Sequence, residues 1–555
     1  MKKNRRMIRL LVFMFPALIT FSSFAQGVIK AESGARIVSE TGSYWVVDNG
    51  AFTLTSPGVT NPAEIANLKI ESDASLTIPS LNYLTVTGTL TNNAGVGGLV
   101  VNSDASGSGS LINGTASVPA TVNRYITGIS QAWHFLSSPV AGQAISGTFT
   151  PAPATSYDFF AWYEPNGEWV NFKSTSGTSW NTANGSTDFT AGKGYLVEYT
   201  GTGLTKQFTG NLNAGTISPA LTHSGTGTYN YYNLVGNPYP SAIDWKAATG
   251  WNRTNLVASG GGYVMSIWND ALSTGNYGEF NSASLSGSGT NGVTQYISAG
   301  QGFMVKAASA GTIGMADGVR VHNNHEWLKS TEEIANILRM KVAGNANTYS
   351  DEIIIEFGHQ AADGGAGKMF SFYETAPSLY TVKPDGNYSI DFRGEAGAVT
   401  IPMSFKAGAD GHYTLTASQL ESFTSSTAIT LEDKMLNTMQ NLVQNPVYTF
   451  SSAKTDDAAR FLLHFGGTFS ISENAGRMPV TVYSSGNTIC IASKSGSVIK
   501  GGVTVYNMIG QPVMQQQLGE IPFTRISLSG ATGYYLVKVV TGDQVYSVKV
   551  FINKY

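Results

Sequence analysis

Three carboxylates beside two tryptophans are the first residues whose types could do chemistry. Asp158, Glu164 and Glu168 share one short stretch with Trp162 and Trp169. A glycosidase uses two carboxyl groups at a fixed separation, and sugars stack on exposed indole rings. Spacing alone does not bring two carboxyl groups together. A polysaccharide hydrolase is therefore the third of three hypotheses, after a binding role and a structural role.

The other reactive residue types give weaker signals. The sequence contains no H-E-x-x-H motif, no G-x-S-x-G motif and no P-loop. The single cysteine, Cys490, allows no intramolecular disulfide, and the stretch "NTICIAS" predicts that it is a core residue of a buried strand. The segment "HNNH" (322–325) predicts a surface turn rather than a metal site.

An acidic group later in the chain could contribute oxygen ligands to a calcium ion. Asp351, Glu352 and Asp363 carry the hard oxygen donors that Ca²⁺ prefers, but their spacing is not that of a D-x-D-x-D-G loop. We therefore predict no metal site and no cofactor, with Ca²⁺ as the alternative left open.

Tryptophans give the strongest hint of a binding surface, because seven of the nine lie between positions 133 and 268. Trp133, Trp162 and Trp268 lie at positions matched between two internal repeats, described below, which predicts core roles. The remaining four stand beside Gly, Asn, Ser or Lys in predicted loops. We predict that these four bind a ligand, with glycans as the candidate class: Trp169, Trp180, Trp245 and Trp251.

Composition favours a multidomain all-β protein. The chain has 555 residues, too many for one core, and only 12% are charged. Gly, Ser, Thr and Asn supply most of the polarity, which favours strands joined by turns over long helices. The net charge is -3, and no basic block occurs after the first ten residues. Nucleic acid is therefore not an expected partner.

The first 25 residues are typical of a secretory signal peptide. Five basic residues precede the apolar run "LLVFMFPALITF" (10–21), and Ser23 and Ala25 fit the small-residue positions of a cleavage site. The alternative is a short anchor helix. No later stretch is apolar enough to span a membrane, so we expect a secreted or cell-surface protein.

Short alternating strands follow in residues 26–118. The segments "LKI" (68–70), "LTI" (76–78), "LTV" (84–86) and "LVV" (99–101) have the period of half-buried strands separated by polar turns. This pattern predicts a β-solenoid-like region, in which each coil buries its apolar face against the next. An antiparallel β-sandwich is the alternative.

Residues 119–220 and 221–326 are predicted to be two duplicated antiparallel β-modules. Three segments recur in the same order with offsets that drift by a few residues, as insertions in loops would produce. The matched stretches are "HFLSSP" with "NLVGNP", "YDFFAW" with "YVMSIW", and "AGKGYLVE" with "AGQGFMVK". The two glycines of the last pair predict positive φ or a close backbone approach.

Two further β-domains are predicted after the repeats. Residues 327–470 contain strong strand segments such as "DEIIIEF" (351–357) and "RFLLHF" (460–465), which predict a β-sandwich. Residues 480–555 contain about seven short strand segments. Their motifs "VYNMIGQ" (505–511) and "GYYLVKV" (533–539), with a final strand centred on Lys549, stand in a specific order.

In these motifs the segment resembles the type A C-terminal sorting domain of the type IX secretion system of Bacteroidetes. The resemblance covers roughly 75 residues. It implies a small immunoglobulin-like sandwich, export through the outer-membrane type IX machinery and, for some cargo, attachment to surface lipopolysaccharide. The residues that carry the implied sorting signal are Tyr506, Asn507, Gly510, Gln511, Gly533, Tyr535, Lys538 and Lys549. The alternative is an ordinary terminal sandwich.

Together these patterns predict a non-catalytic surface protein that works in adhesion or glycan binding. The region before the sorting segment also resembles uncharacterised secreted proteins that carry this tail, which brings no activity with it. A matrix or filament protein that self-associates through exposed strand edges is the second hypothesis.

Overall fold

The computed structural model shows a multidomain all-β protein, which confirms the predicted fold class. The chain divides into two compact units, Met1–Gly467 and Thr468–Tyr555, here called the body and the tail. The segment predicted to be a signal peptide lies outside the described residues. No described helix is long and apolar enough to cross a membrane. The structure describes residues 28–31, 36–40, 44–56, 62–126, 132–150, 158–200, 203–225, 227, 229–270, 274–323, 336–359, 364–394, 398–425, 427–466, 480–493, 498–530, 532–541 and 544–553.

The body begins with a β-solenoid of short coils. Its strands are β1 (Val28–Ala31), β2 (Arg36–Glu40), β3 (Tyr44–Asp48), β4 (Gly50–Thr55), β5 (Ala63–Ile65), β6 (Asn67–Ile70), β7 (Ala74–Ile78), β8 (Tyr83–Val86), β9 (Leu90–Asn92), β10 (Leu99–Val101), β11 (Ser103–Asp104), β12 (Gly107–Ser108) and β13 (Ser110–Asn113).

Three parallel ladders run along this solenoid. They are β3-β6-β9, β5-β8-β13 and β4-β7-β10. Because neighbouring coils pair in parallel register, each predicted apolar residue stacks on its counterpart one coil later. Leu76 pairs with Leu99 and Ile78 with Val101, and all four side chains are buried. Parallel stacking therefore confirms the solenoid and excludes the antiparallel sandwich here.

The first module continues from the solenoid without a break in hydrogen bonding, because its first strand pairs in parallel with β10. A single short α-helix, α1 (Trp180–Asn184), lies inside it. The strands of this module are β14 (Pro119–Ile126), β15 (Trp133–Leu136), β16 (Val140–Ala141), β17 (Phe159–Tyr163), β18 (Glu168–Asn171), β19 (Tyr195–Glu198) and β20 (Leu204–Leu212).

The second module has more and shorter strands around one buried core. They are β21 (Ala220–Leu221), β22 (Tyr232–Gly236), β23 (Ala242–Asp244), β24 (Trp251–Asn252), β25 (Ala258–Ser259), β26 (Gly262–Asn269), β27 (Asn276–Asn281), β28 (Tyr296–Ile297), β29 (Gly302–Lys306), β30 (Gly311–Thr312), β31 (Gly314–Met315) and β32 (Arg320–Val321). Short 3-10 turns in the body cover Gly95–Gly97, Glu164–Asn166, Thr290–Gly292, Asp317–Val319 and Leu420–Ser422.

The two modules share one sheet topology and one register. The order β15-β19-β17-β18 in the first matches β22-β29-β26-β27 in the second. Residues that pair in the sheet of the first module correspond, by the sequence offsets, to residues that pair in the sheet of the second. These pairs are Trp133–Glu198 with Tyr232–Lys306, Phe160–Leu196 with Ser266–Met304, and Trp162–Trp169 with Trp268–Tyr277.

A pseudo-two-fold contact joins the modules at the repeated glycine motif. The Ser137 N–H donates to the Gly300 carbonyl at 2.8 Å, and the matched Gly236 N–H donates to the Gly192 carbonyl at 2.8 Å. Gly192 and Gly300 have positive φ, of 77° and 66°. A Cβ added at Gly194 would meet a backbone oxygen at 2.6 Å. The motif therefore uses both properties expected of its glycines.

The body ends in a highly curved eleven-stranded sheet. Its strands are β33 (Ile337–Gly344), β34 (Ser350–Glu356), β35 (Gly365–Gly367), β36 (Ser378–Lys383), β37 (Gly386–Phe392), β38 (Val399–Lys406), β39 (Gly411–Ser418), β40 (Ile429–Asp433), β41 (Thr438–Asn441), β42 (Val447–Ser452) and β43 (Phe461–Phe465). The order is β41-β40-β43-β38-β36-β37-β34-β33-β39-β42, with β35 beside β37. The enclosed core is apolar and includes Leu338, Ile355, Leu379 and Leu415.

The described residues of the tail form seven strands in two sheets around their own core. They are β44 (Val480–Ser485), β45 (Thr488–Ser493), β46 (Lys500–Tyr506), β47 (Pro512–Gly519), β48 (Phe523–Ser527), β49 (Gly533–Thr541) and β50 (Gln544–Ile552). The sheet orders are β44-β45-β48 and β47-β46-β49-β50. Cys490 is buried on β45, which confirms it as a core residue.

Candidate functional site

The larger sheet of the tail has one buried and one exposed face. Along β49 the side chains alternate, so that Tyr535 and Val537 enter the core while Tyr534 and Leu536 point outward. Leu536 pairs with Tyr506 of β46 on one side and Lys549 of β50 on the other. The period of two along the strand therefore collects these three residues on the outer face.

A turn beside this face projects two apolar side chains into solvent. The Asn507 side-chain oxygen accepts from the Ile509 N–H at 3.2 Å and from the Gln511 N–H at 2.9 Å. Gly510 closes the turn with a φ of 82°, which favours glycine. Met508 and Ile509, at the tip, are 62% and 78% exposed. The local hydrogen bonds thus explain why "NMIGQ" has this composition.

The turn and the outer face enclose a shallow concavity of about 410 Å³, here called the tail concavity. Its lining residues are Tyr506, Asn507, Met508, Gly510, Leu536, Lys538 and Lys549. The Lys549 Nζ atom lies 4.2 Å from the centre of the Tyr534 ring. Among the described tail residues the ion pair is Lys500–Glu520, so neither concavity lysine has a carboxylate partner.

The structure brings five of the eight residues predicted to carry a sorting signal to this concavity. They are Tyr506, Asn507, Gly510, Lys538 and Lys549. Gln511 closes the adjoining turn, Gly533 begins β49 and Tyr535 packs in the tail core. Sequence reasoning did not single out Met508 and Leu536, although strand alternation around Tyr535 placed Leu536 on the opposite face.

Two of the four tryptophans predicted to bind a ligand are core residues. Trp245 is 0% exposed, and its indole N–H donates to the Tyr263 carbonyl at 2.7 Å. Trp180 is 9% exposed, and its indole N–H donates to the Ser186 carbonyl at 2.7 Å. Burial of both indoles contradicts the prediction that they bind a ligand, because polar neighbours in sequence do not prevent burial of a large aromatic ring.

The other two are half-buried in aromatic clusters rather than together on one surface. Trp169 packs against Trp162 with ring centres 5.0 Å apart, and its matched position in the second module holds Tyr277. Trp251 packs against Trp245 at 4.8 Å, and its indole N–H donates to a backbone carbonyl. The repeat register could have identified Trp169 as a packing residue from sequence.

The three carboxylates near these tryptophans are held by separate partners. Asp158 forms an ion pair with Lys173 at 2.9 Å. Burial opposes ionisation of Glu164, but N–H donors including those of Gly225 and Tyr231 outweigh it and lower its pKa. Hydrogen bonds from Thr178 and Asn166 lower the pKa of Glu168. The three carboxylates therefore do not share a partner, while burial and the nearby Asp158 raise the pKa of a fourth carboxyl, that of Glu198.

The proposed calcium ligands have other roles where the structure describes them. Asp351 and Glu352 form ion pairs with Lys368 and Arg339, each with a contact of 2.7 Å. Asp363 lies outside the described residues. No group of three potential metal ligands occurs among the residues that the structure describes.

The segment "HNNH" also has a role that its sequence did not indicate. The two ring nitrogens of His322 lie 2.8 Å from the hydroxyl groups of Thr85 and Ser110 in the solenoid. His322 is therefore part of the packing between β32 and the solenoid rather than of an isolated surface turn. His325 lies outside the described residues.

Comparison with known proteins identifies a family but no activity. No curated protein matches the chain. A biofilm-associated protein domain, the BSP domain, is 8% identical, with a TM-score of 0.12 and coverage of 80% of this chain and 97% of that chain. A Salmonella alpha-2-macroglobulin is 10% identical, with a TM-score of 0.11 and coverage of 80% of this chain and 34% of that chain. Neither similarity is high enough to carry an argument.

A family model described as a domain of unknown function, DUF8693, matches residues 41–465. This match begins in the solenoid and ends with the last strand of the body, so it spans the solenoid, both modules and the curved sheet. Since it covers well over half of the 555 residues, the chain belongs to the DUF8693 family.

Proposed function

We propose that this chain is an exported cell-surface protein whose tail is a type IX sorting domain. The observation that carries the proposal is the tail concavity, where five residues of the implied sorting signal converge around Met508 and Leu536. Exposed apolar side chains lie beside two lysines that have no carboxylate partner among the described tail residues, and such a surface is suited to protein recognition.

Export of the full chain tests this proposal. We would express it in a Bacteroidetes host, with and without a functional type IX system, and measure the surface-exposed fraction by protease accessibility on intact cells. The double variant Lys538→Ala/Lys549→Ala should lower that fraction by about tenfold, which corresponds to about 1.4 kcal/mol of recognition energy. Lys500→Ala, an exposed lysine outside the concavity, is the matched control. Unchanged export of the double variant, or export without the system, would contradict the proposal.

The body is proposed to act by adhesion rather than by catalysis. Five exposed apolar residues lie close together in sequence at and after the β40–β41 hairpin: Met435, Leu436, Met439, Val443 and Val447. A concentration of exposed apolar side chains is typical of a protein contact surface. Together with the separately paired carboxylates, it supports adhesion through apolar contacts better than sugar stacking or hydrolysis.

Cell adhesion separates these possibilities. Cells that display Met435→Ser/Leu436→Ser should attach less well to a protein-coated surface, whereas Val257→Ser, another exposed apolar position in the body, should not change attachment. If a Trp169→Ala/Trp251→Ala variant instead lost binding to a glycan array while remaining folded, the glycan-binding role would be favoured. Turnover of a polysaccharide would favour the hydrolase.

One observation favours self-association as a second candidate. Strand β47 is the edge of its sheet and carries no charged residue, and Gln515, Gln516 and Gln517 are exposed. An uncharged edge strand is a template for pairing with another chain. Light scattering of the full chain should then show concentration-dependent assembly that Gln516→Lys reduces. A monomer at all concentrations would exclude this candidate.

A further inference from the structure

The two compact units of the chain carry formal charges of opposite sign. The tail, Thr468–Tyr555, contains seven basic and three acidic residues, which gives a net charge of +4. The body contains 26 basic and 33 acidic residues, which gives a net charge of -7. The tail is therefore the cationic part of an acidic protein. A difference in net charge between two regions bears on what each region binds rather than on how it folds.

Two of the positive charges of the tail are neighbours in the tail concavity. Lys538 lies two residues after Leu536 on β49, and Lys549 lies opposite Leu536 on β50. The two lysines are therefore diagonal neighbours on one face of the sheet, a position that separates their backbones by about 7–8 Å. The Lys549 Nζ atom also lies 4.2 Å from the centre of the Tyr534 ring, which helps to hold it on this face.

The two lysines are not balanced by a carboxylate in the described part of the tail. Among the described residues that line the concavity, none is acidic. The ion pair found in the described tail joins Lys500 to Glu520 instead. Like charges at neighbouring positions of a sheet destabilise it. The placement of Lys538 beside Lys549 is therefore unfavourable in the free tail, and an anion bound between them would relieve the repulsion.

The same concavity has apolar lining residues beside the lysines. Met508 is 62% exposed at the tip of the turn, and Leu536 is 40% exposed on the sheet. An occupant of this space of about 410 Å³ therefore meets apolar side chains and positive charges together. A peptide segment that carries Asp or Glu close to an apolar side chain has the complementary combination.

We propose that the tail concavity binds an acidic, partly apolar segment of a partner protein. Lys538 and Lys549 pair with the carboxylates of that segment, and Met508 and Leu536 contact its apolar side chain. This inference rests on the proposed export function, because it names the chemistry of the partner that recognises the tail. It also makes the positive charge of the two lysines, rather than the shape of their side chains, the property that decides recognition.

A protein segment fits this surface better than an anionic membrane does. Lipid surfaces attract proteins through clusters of about four to eight lysines or arginines. The concavity has two lysines, and the other described basic residues of the tail, Lys500 and Arg525, are not among its lining residues. A concave site also accommodates a side chain that enters it, whereas a layer of lipid headgroups is flat on this scale. The observations therefore favour a peptide carboxylate over a lipid phosphate.

A series of charge variants in the export assay tests the proposal. Lys538→Arg/Lys549→Arg keeps both charges and should export nearly as well as the wild-type chain. Lys538→Met/Lys549→Met keeps the apolar stems without the charges and should lower the exported fraction by about tenfold. Lys538→Glu/Lys549→Glu should lower it by about a hundredfold, because like charges then face the partner. Lys500→Met, at an exposed lysine outside the concavity, is the matched control.

The outcomes separate this inference from the export function on which it rests. Hydrogen exchange in the tail would verify that each variant is folded. Wild-type export of the folded methionine variant would overturn the inference, and the export function would stand if the alanine variant were still impaired. Export that does not depend on the type IX system would instead contradict the export function, and the chemistry of the partner would then be decided by direct binding.

Direct binding uses a fluorescent peptide of alternating Leu and Glu as the probe, and the same peptide with Gln in place of Glu as its control. Fluorescence anisotropy with the full chain should show about tenfold tighter binding of the Glu peptide at low salt. This advantage should disappear in Lys538→Met/Lys549→Met and decrease as salt is added. Equal affinity for the two peptides would overturn the proposal. Lysine-dependent binding to phosphatidylglycerol vesicles that is tighter than binding to the Glu peptide would also overturn it, in favour of a membrane.

Discussion

The body and the tail use their apolar residues in opposite ways. Of nineteen exposed large apolar side chains that the structure describes, ten belong to the tail, although the tail is much the smaller unit. In the body the conspicuous aromatic residues turn inward, and Trp245 is among the largest fully buried side chains. Large apolar residues therefore belong mainly to the core in the body, whereas many of those in the tail belong to its surface.

The body also buries its polar side chains in contacts between regions. Arg320 of β32 donates to the backbone carbonyl of Leu111 in the solenoid at 3.0 Å. Glu164 of the first module accepts from the Gly225 N–H at 2.7 Å. Because buried polar groups need partners, these side chains fix the regions to one another. They explain why the body forms one compact unit.

The largest expected difference between the two units is at Trp245. Trp245→Ala should lower the free energy of unfolding by about 3–5 kcal/mol, because it leaves a cavity in the core of the second module. The exposed aromatic Tyr534→Ala in the tail is the control, with an expected change below about 0.5 kcal/mol. Urea unfolding monitored by tryptophan fluorescence measures the stability of the body, since all nine tryptophans lie there. Hydrogen exchange measures the stability of the tail. Small and equal changes in the free energy of unfolding for the two variants would contradict the proposed difference between body and tail.

Acidification should destabilise the body selectively. Burial lowers the pKa of His134 and of His322 to about 4 from 6.5. The unfolded chain therefore binds these protons first, so their contribution to stability is present above pH 6.5 and is lost as the pH falls towards 4. The loss should reach roughly 2–3 kcal/mol for each histidine.

Unfolding of the body measured between pH 7 and pH 4 checks this effect. His322→Gln and His134→Gln should each flatten the pH dependence. The tail segment contains no histidine, so hydrogen exchange in the tail should not follow the same curve. An unaltered slope in His322→Gln would contradict the assignment.

The contact between the modules gives an intermediate effect. Gly194→Ala places a Cβ 2.6 Å from the Val235 carbonyl oxygen and should cost about 1–3 kcal/mol. Gly302→Ala meets the Phe135 Cβ atom at 3.0 Å, a longer distance than the 2.6 Å at Gly194, so its cost should be smaller. Gly114→Ala has no neighbour within 4 Å and is the control. Thermal unfolding would measure the loss of stability in the three variants. A larger loss in Gly114→Ala than in Gly194→Ala would contradict a tight contact between the modules.

The smallest effect is expected at the tip of the tail turn. Ile509→Ser should change the stability of the tail by less than about 0.5 kcal/mol, because the side chain is already in water. It should nevertheless reduce the exported fraction if the tip is part of the recognition surface. Loss of stability in this variant would show that the tip packs against the tail core.

The alternation of apolar and polar residues predicted most of the fold, because it can be read from consecutive residues of each strand. The solenoid coils, the two repeats and the seven tail strands were all expected from alternation, from matched motifs or from both. The sequence offsets between the repeats also relate the strand register of the two modules. Phe160 pairs with Leu196 in the first module, and the matched Ser266 pairs with Met304 in the second. Five of the residues predicted to carry a sorting signal line one concavity, because strand neighbours on one face of a sheet lie side by side.

Burial in loops and contacts between distant strands could not be predicted in this way. Trp245 is followed by a polar stretch, yet its ring fills a core assembled from strands far apart in sequence. The hydrogen bond from the Met369 N–H to Glu279 depends on the packing of β27 against β35, which no local pattern encodes. Contacts between residues far apart in sequence could therefore be identified only from the structure.

The most direct test of the contrast between body and tail is hydroxyl-radical footprinting of the full chain, read by mass spectrometry. Met508 and Tyr534 in the tail should be oxidised rapidly, whereas Met315, Trp180 and Trp245 in the body should be protected until the body unfolds. Oxidation of Trp245 at a rate similar to that of Met508 in the native chain would contradict the account.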